Sequence, residues 1–377
     1  MIFGQTLGKF LKKLLLSLMG VIMPIYIYES MTMEGVVSKL LQQLGAQIFP
    51  IYSYVSTEDT SLHREDAIEL EYLYYDELTH MMEEENGELV AESVKVELVA
   101  IDPERTRSMV EGQAGTFTPH TRQYITNLDA FESYDDLTKH FYIIDDVTSV
   151  EEGEINYQEL LKKDLTISKE GDAPQILLYH THSQEGFADS VPGDDNTTIM
   201  GVGAYLAGVL QNTYGYKVLH HLGKYDVESR DNAYARSLPE IKQILDENPS
   251  IQVVIDLHRD GINEANGKLM TQVDGRDTAK FMFFNGISKT NSQGHIDYLE
   301  NPYLQDNLAF SLQMKLKADE YYPGVARKNY INGYRYNMHL KARTILIELG
   351  AQNNTFGEAI NACDILAHLL DMVLTGQ

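Results

Sequence analysis

The sequence holds a single cysteine, Cys363, set in an apolar helical pattern near the C-terminus. A disulfide within the chain is excluded, and the expected role of the thiol is a core residue rather than a nucleophile. Basic residues are scarce too: 30 Lys and Arg stand against 56 Asp and Glu, a formal charge of −26. That balance excludes duplex DNA or RNA as a natural partner and disfavours anionic glycans such as teichoic acid. Common catalytic signatures are missing. There is no Gly-x-Ser-x-Gly elbow, no Walker loop and no dinucleotide fingerprint, and Gly201-Val202-Gly203 lacks the strand–turn setting such a fingerprint needs. No repeat of fixed period runs through the chain.

Only one apolar run approaches the length of a membrane span. Lys9, Lys12 and Lys13 precede Leu14–Tyr28, interrupted by Ser17, Gly20 and Pro24. It falls short of the ~20 residues of a comfortable span, but reaches with Phe10 and Leu11 added and the lysines snorkelling. A cleaved secretory signal is the rival reading, although no small-x-small site follows at Glu29–Thr32; a buried helix is the plain one. Basic residues before the run and none shortly after it place the bulk of the chain outside the cytoplasm, as a single-pass protein of the cell membrane.

The expected organisation has three parts. Residues 1–30 form a cytoplasmic tip and transmembrane anchor. Residues 31–170 are an acidic extracytoplasmic stalk, with helices expected at Glu34–Leu44, Leu70–Met82 and Asn127–His140, strands at Val94–Ile101 and Phe141–Ile144, and a short helix at Leu160. Residues 171–377 alternate strand and helix. Strands are expected at Gln175–Tyr179, Tyr216–Leu219, Ile251–Leu257, Phe281–Phe284 and Arg343–Leu349. Helices are expected at Thr198–Asn212, Asn232–Glu247 (kinked or divided at Pro239), Pro302–Lys317 and Phe356–Leu374. The fold class is α/β: a largely parallel, twisted sheet flanked by helices.

Three apolar strands run into ionisable residues: one into His180-Thr181-His182 with Glu185 beyond, one into His258-Arg259-Asp260, and the last into Glu348. Parallel strands deliver their carboxyl ends to one edge, so these groups converge. Two histidines and a carboxylate make a catalytic zinc set with an open position for water, and a further carboxylate can move that water's proton. His182-x-x-Glu185 with a distant His258 has the spacing seen in zinc carboxypeptidases, leaving Glu348 as base. Each residue has a duller explanation, since a histidine at a strand end is usually only hydrogen-bonded. A carboxylate inside an apolar strand must be paired, protonated or functional; Arg343 is the obvious partner for Glu348, with Arg259 and Arg335 as others. His180 could be a ligand or could orient one. His220 and His221 read as wall residues.

Tyr-His-Thr-His-Ser-Gln-Glu from Tyr179, Asn-Pro-Ser-Ile-Gln-Val-Val-Ile-Asp-Leu-His-Arg-Asp-Gly from Asn248, Met-Phe-Phe-Asn-Gly from Met282, Tyr-Arg-Tyr-Asn-Met-His-Leu from Tyr334 and Ile-Glu-Leu-Gly-Ala-Gln-Asn-Asn-Thr from Ile347 resemble the stage II sporulation protein P family. The resemblance covers about Phe141 to the C-terminus. It implies a membrane-anchored cell-wall hydrolase of endospore-forming bacteria, an N-acetylmuramoyl-L-alanine amidase that also cleaves peptide crosslinks. The implied fold is that of the zinc amidases and zinc carboxypeptidases (phosphorylase/hydrolase-like). It implies action on peptidoglycan during forespore engulfment, in company with stage II sporulation proteins D and M. Carried over residue by residue, His182 and His258 are the histidine ligands of one Zn2+ and Glu348 the catalytic glutamate; Arg343 is a catalytic candidate on its own residue type and place, with Arg259 and Arg335, for stem-peptide carboxylates or the oxyanion. Glu185 is the preferred carboxylate ligand, by its spacing. Those amidases place theirs about a dozen residues after the first histidine, which keeps Asp195 in reserve. His180, Arg259, Arg335 and Asn337 are expected to bind substrate or support the ligands. The alternatives are a peptidoglycan- or protein-binding scaffold without catalysis, and a zinc carboxypeptidase acting on free peptides.

Overall fold

A computed structural model of the chain describes residues 117–377, apart from 228, 231 and 264–266. The expected anchor and the elements expected at 34–44, 70–82 and 94–101 lie outside the described residues. No helix among the described residues is long and apolar enough to cross a membrane.

A 3-10 turn at Leu128–Ala130 leads to helix α1, Tyr134–Phe141. The sequence predicts one helix here; the chain makes two elements because two capping residues compete. Asn127 accepts from the Asp129 N–H and Ser133 from the Asp136 N–H, so each opens its own turn. Strand β1, Tyr142–Ile144, and helix α2, Tyr157–Lys162, follow. Strand β2, Ile176–Tyr179, is buried along its whole length. Helix α3, Ile199–Asn212, starts where Thr198 accepts from the Met200 N–H. After strand β3, Val218–His220, helix α4 runs unbroken from Ala233 to Glu247. Pro239, on its exposed side, does not divide it.

Strand β4, Val253–Asp260, is followed by a hairpin of β5, Met270–Val273, and β6, Arg276–Ala279. Its two-residue turn needs positive φ at both positions, supplied by Asp274 (φ 53°) and Gly275 (φ 75°). Asp-Gly is a readable hairpin signal, but the flanking strands carry little apolar alternation and do not announce themselves. Strand β7, Phe281–Gly286, and a short pair, β8 (Lys289–Thr290) with β9 (Gly294–His295), precede helix α5, Leu304–Tyr321. Strand β10, Asn329–Asn332, is also absent from the sequence expectation, for the same want of pattern. Strand β11, Thr344–Ala351, and helix α6, Phe356–Thr375, close the chain; Thr355 and Glu358 form a reciprocal capping box.

Seven strands form one sheet in the order β1-β10-β7-β11-β4-β2-β3. Every neighbouring pair is parallel except β11 with β7. The exception has a topological cause: only the β5–β6 hairpin separates β4 from β7, with no crossover helix, so the chain returns antiparallel. β1 pairs with β10, and Phe141, Tyr142, Ile155, Tyr157 and Leu160 are buried against α5. The packed sheet therefore includes residues ahead of the boundary drawn at 171.

One face of the sheet, carrying Leu178, Ile255, Leu257, Ile345 and Ile347, packs on α3, α5 and α6. Cys363 is buried in this core, as expected. On the other face Leu177, Tyr179 and Val254 pack on α4 through Ile241, Ile244 and Leu245. Each such side chain contributes roughly 1.5–3 kcal/mol on burial. Helix α4 thus shields that face over β2 and β4, and the ionisable residues emerge beside it.

Candidate metal centre and active site

Beyond β2 the chain is held open by two carboxylates. Asp256, within β4, accepts from the Thr181 N–H (2.9 Å) and hydroxyl (2.7 Å). Asp226 accepts from the Ser183 N–H (3.1 Å), the Ser183 hydroxyl (2.7 Å) and the Gln184 N–H (3.1 Å). This pinning turns His182 and Glu185 toward His258. The ligand atoms of His182, Glu185 and His258 lie within 4.8 Å of one another, and all three residues are buried. Glu185 Oε1 is 3.6 Å from His182 Nδ1, and its Oε2 is 3.6 Å from His258 Nδ1. Tetrahedral ligands at zinc distances of about 2.0–2.2 Å stand about 3.3–3.6 Å apart, so the donors fit such an ion in kind, and the two Glu185–histidine separations fit it in spacing.

The surroundings favour a cation. The second nitrogen of His258 lies 2.8 Å from Asp256 Oδ1, leaving Nδ1 to face the ligand cluster. Burial works against the charged form of His258, but the negative charges of Asp256 and then Glu185 hold its pKa well above the usual imidazole value. Burial would likewise raise the Glu185 carboxyl; the neighbouring His258, His182 and Arg230, the last a 2.8 Å hydrogen-bonded partner, hold it well below the ordinary range. His182 is pushed down to about 4 by burial and by His258. Buried carboxylates here are compensated by an imidazolium and a guanidinium, a balance a dication would serve.

Glu348 is the lateral partner of His258 in the β11–β4 register. Its carboxyl is pushed up to about 8, chiefly by burial, with Glu185 and Asp260 adding to the rise and His258 and Arg230 opposing it. Its Oε2 is buried and finds no hydrogen-bond partner among the described residues. A carboxyl so placed can hold a proton near neutral pH and exchange it with a neighbouring water.

The other expected site residues fall elsewhere. Arg343 precedes β11, at the strand end remote from Glu348, and donates to the carbonyls of Leu165 (3.2 Å) and Thr166 (3.4 Å). It is neither Glu348's partner nor part of this cluster; the four strand residues Thr344–Ile347 lie between the two. Asp195 pairs with Lys224 at 2.6 Å and does not join the donor set. Arg259 serves through its backbone, whose N–H donates to Glu185 Oε2 (2.8 Å), while its guanidinium turns to the Gly186 carbonyl (2.9 Å). Arg335 is buried and donates to the Glu300 carbonyl. Asn337 donates to Ser237 Oγ (3.0 Å) and the Tyr234 carbonyl (3.3 Å), fixing the first turn of α4. His180 is outside the donor trio: its Nδ1 bonds the Leu257 carbonyl (2.7 Å) and its Nε2 meets His220 Nε2 (2.9 Å). It ties the end of β2 to β4, a supporting position. His221 bonds the Tyr225 hydroxyl behind the site.

Sequence reasoning missed three contributors. Asp256 could have been found, being the one carboxylate inside the apolar run Ile251–Leu257. Tyr234 could not: it stacks on His258 (centroids 6.3 Å, 20°) and meets His182 edge-on at 5.6 Å, from a helix start with no distinguishing pattern. Arg230 donates to Glu185 Oε1 at 2.8 Å from the loop after β3, with half its side chain exposed.

A model of the family "Stage II sporulation protein P (SpoIIP)" matches residues 79–371, and the chain belongs to that family. It is similar to the stage II sporulation protein P of Bacillus subtilis (strain 168), 22% identical over 244 residues, 58% of this chain and 57% of that protein. The chain thus matches less than two thirds of that relative's length. Among solved structures it resembles the CwlD amidase of Clostridioides difficile, solved in complex with the GerS lipoprotein (13% identity, 54% of this chain, 95% of that one, TM-score 0.33). It also resembles the N-acetylmuramyl-L-alanine amidase Ami1 of Mycobacterium smegmatis (12% identity, 55% and 100%, TM-score 0.32). At that overlap it is the site's own residues that bear on function.

Proposed function

We propose that this member of the stage II sporulation protein P family is a zinc-dependent peptidoglycan hydrolase, an N-acetylmuramoyl-L-alanine amidase. The observation that carries the proposal is the convergence of His182, Glu185 and His258 beside the unpaired carboxyl of Glu348. The three donors would hold the ion, which when bound supplies Lewis acidity toward a carbonyl oxygen and a lowered pKa for water.

The chain's own groups do the rest. Glu348 takes a proton from the attacking water and delivers it to the departing nitrogen. The bond that breaks is the amide between the lactyl carbonyl of muramic acid and L-alanine, leaving a carboxylate on the sugar and an amine on the peptide. Asp256 orients His258 through its far nitrogen, and the Arg259 N–H orients Glu185. Arg230 offers a half-exposed guanidinium beside Glu185 for negative charge on the substrate, the role the sequence alone distributes among Arg259, Arg335 and Arg343. Cleavage of stem-peptide crosslinks, anchoring through residues 1–30, action in forespore engulfment and association with stage II sporulation proteins D and M belong to the same proposal.

Mass spectrometry of products from purified peptidoglycan tests it. Release of intact stem peptides with a free L-alanine amine is the expected outcome. Release of a single terminal residue would replace the amidase with a carboxypeptidase, and undigested material would leave a scaffold.

A further inference from the structure

The row of side chains that holds the site does not end there. On the face shielded by α4, His258 and Glu348 are followed across the sheet by Met282, and the adjacent row runs Asp256, Leu346, Phe284, Tyr330, Ile143 in continuous lateral register. Helix α4 packs over β2, β4 and the neighbouring Leu219 of β3. Past it, over β7, β10 and β1, this face presents rings. Tyr234, stacked on His258, meets Tyr336 at 5.2 Å; Tyr336 meets Phe284 edge-on at 4.8 Å; Phe284 stacks on Tyr330 at 5.4 Å and 24°. All four rings are half-buried, and Ile143 at the end is 42% exposed. Tyr336 and Asn337 both hold left-handed backbone (φ 48° and 56°), a conformation asparagine tolerates and tyrosine rarely adopts.

We propose that this strip is a substrate subsite for the glycan strand, running from the amidase centre across β7, β10 and β1. The inference rests on the amidase proposal and adds a direction to it. The strip's own residues are uncharged, and at the far end the Tyr330 hydroxyl donates to a carboxylate, Asp145. A stem peptide laid here would bury its carboxylates without partners and against Asp145. Sugar rings suit the strip: uncharged, with C–H faces for the aromatics and hydroxyls at the rim. The cationic side lies opposite, where the loop after β3 sets Arg230 on Glu185. The scissile amide sits between, so the sugar side of the substrate takes the aromatic strip and the anionic peptide side takes Arg230. Three strand spacings separate β4 from β10, about 14 Å, which accommodates successive sugars rather than one.

The test uses the full-length zinc-loaded protein. Binding of peptide-free glycan strands is measured by calorimetry with Glu348→Gln, and turnover is measured on long glycan chains and on a single N-acetylmuramoyl-peptide. Tyr330→Ala and Tyr336→Ala should each weaken glycan binding, and raise KM for long chains, by about tenfold, with little change on the single-sugar substrate. Tyr330→Phe, which keeps the ring, should behave as wild type, and melting curves exclude unfolding. Equal losses on both substrates, or unchanged glycan binding in the alanine variants, overturn the proposal. A wild-type protein that binds glycan through these rings but releases no stem peptide would sink the amidase reading instead.

Discussion

Glu348 and His258 stand side by side across two parallel strands, β11 and β4, in direct register. The pairing sets a buried carboxyl beside an imidazole of the candidate metal centre through backbone hydrogen bonding, so their separation does not depend on loop conformation. The sheet itself is the jig for the chemistry.

Glu348→Gln keeps the shape of the side chain and removes its proton chemistry. Turnover of peptidoglycan should fall by about 10²–10⁴-fold while zinc content, read by elemental analysis, is unchanged. Undiminished digestion would remove Glu348 from its role.

Asp256→Asn should loosen the hold on His258. Metal affinity should drop about 10–100-fold, measured by competition with a chelator, and the Thr181 contacts should weaken with it. His258→Ala should lose the metal altogether.

Stability of the metal-free protein should depend on pH through Glu348. The folded carboxyl holds its proton to about 8, whereas the free side chain releases it near 4.5. Between these values the folded state binds more protons than the unfolded one, so this group's contribution falls as pH rises and levels off above about 8. The slope is at most about 1.4 kcal/mol per pH unit. Denaturation of wild type and Glu348→Gln in chelator, from pH 5 to 9, isolates the difference; parallel curves would contradict it.

Arg230→Ala removes the guanidinium from Glu185 and should lower kcat/KM by about 10–100-fold with zinc retained. Arg230→Lys should recover part of the loss. Arg343→Ala, at the far end of the strand, should leave turnover unchanged.

Gly203→Ala tests the support behind the site. A Cβ there would lie 2.5 Å from His180 Nε2 and 3.0 Å from His220 Nε2, inside contact distance. Overpacking of this kind costs about 1–3 kcal/mol, visible as a lowered melting temperature.

Much of this was legible along the chain. The apolar runs at Ile176–Tyr179, Val253–Leu257 and Thr344–Ile347 declared themselves as buried strands by length and composition, and the polar residues ending them declared the edge that carries chemistry. His182, Glu185, His258 and Glu348 followed, because a short-range ligand pair and a carboxylate inside an apolar strand are anomalies visible in one dimension. What hydrophobic period does not encode is direction and depth. Arg343 looked like a partner to Glu348 through sequence proximity, yet extended backbone carries the two apart. Arg230 and Tyr234 looked like ordinary loop and helix residues, and only the fold sets one on Glu185 and the other on His258. The reversed strand β7 and the ring row beyond it depend on which strands become neighbours, a choice made by long-range packing that no local pattern contains.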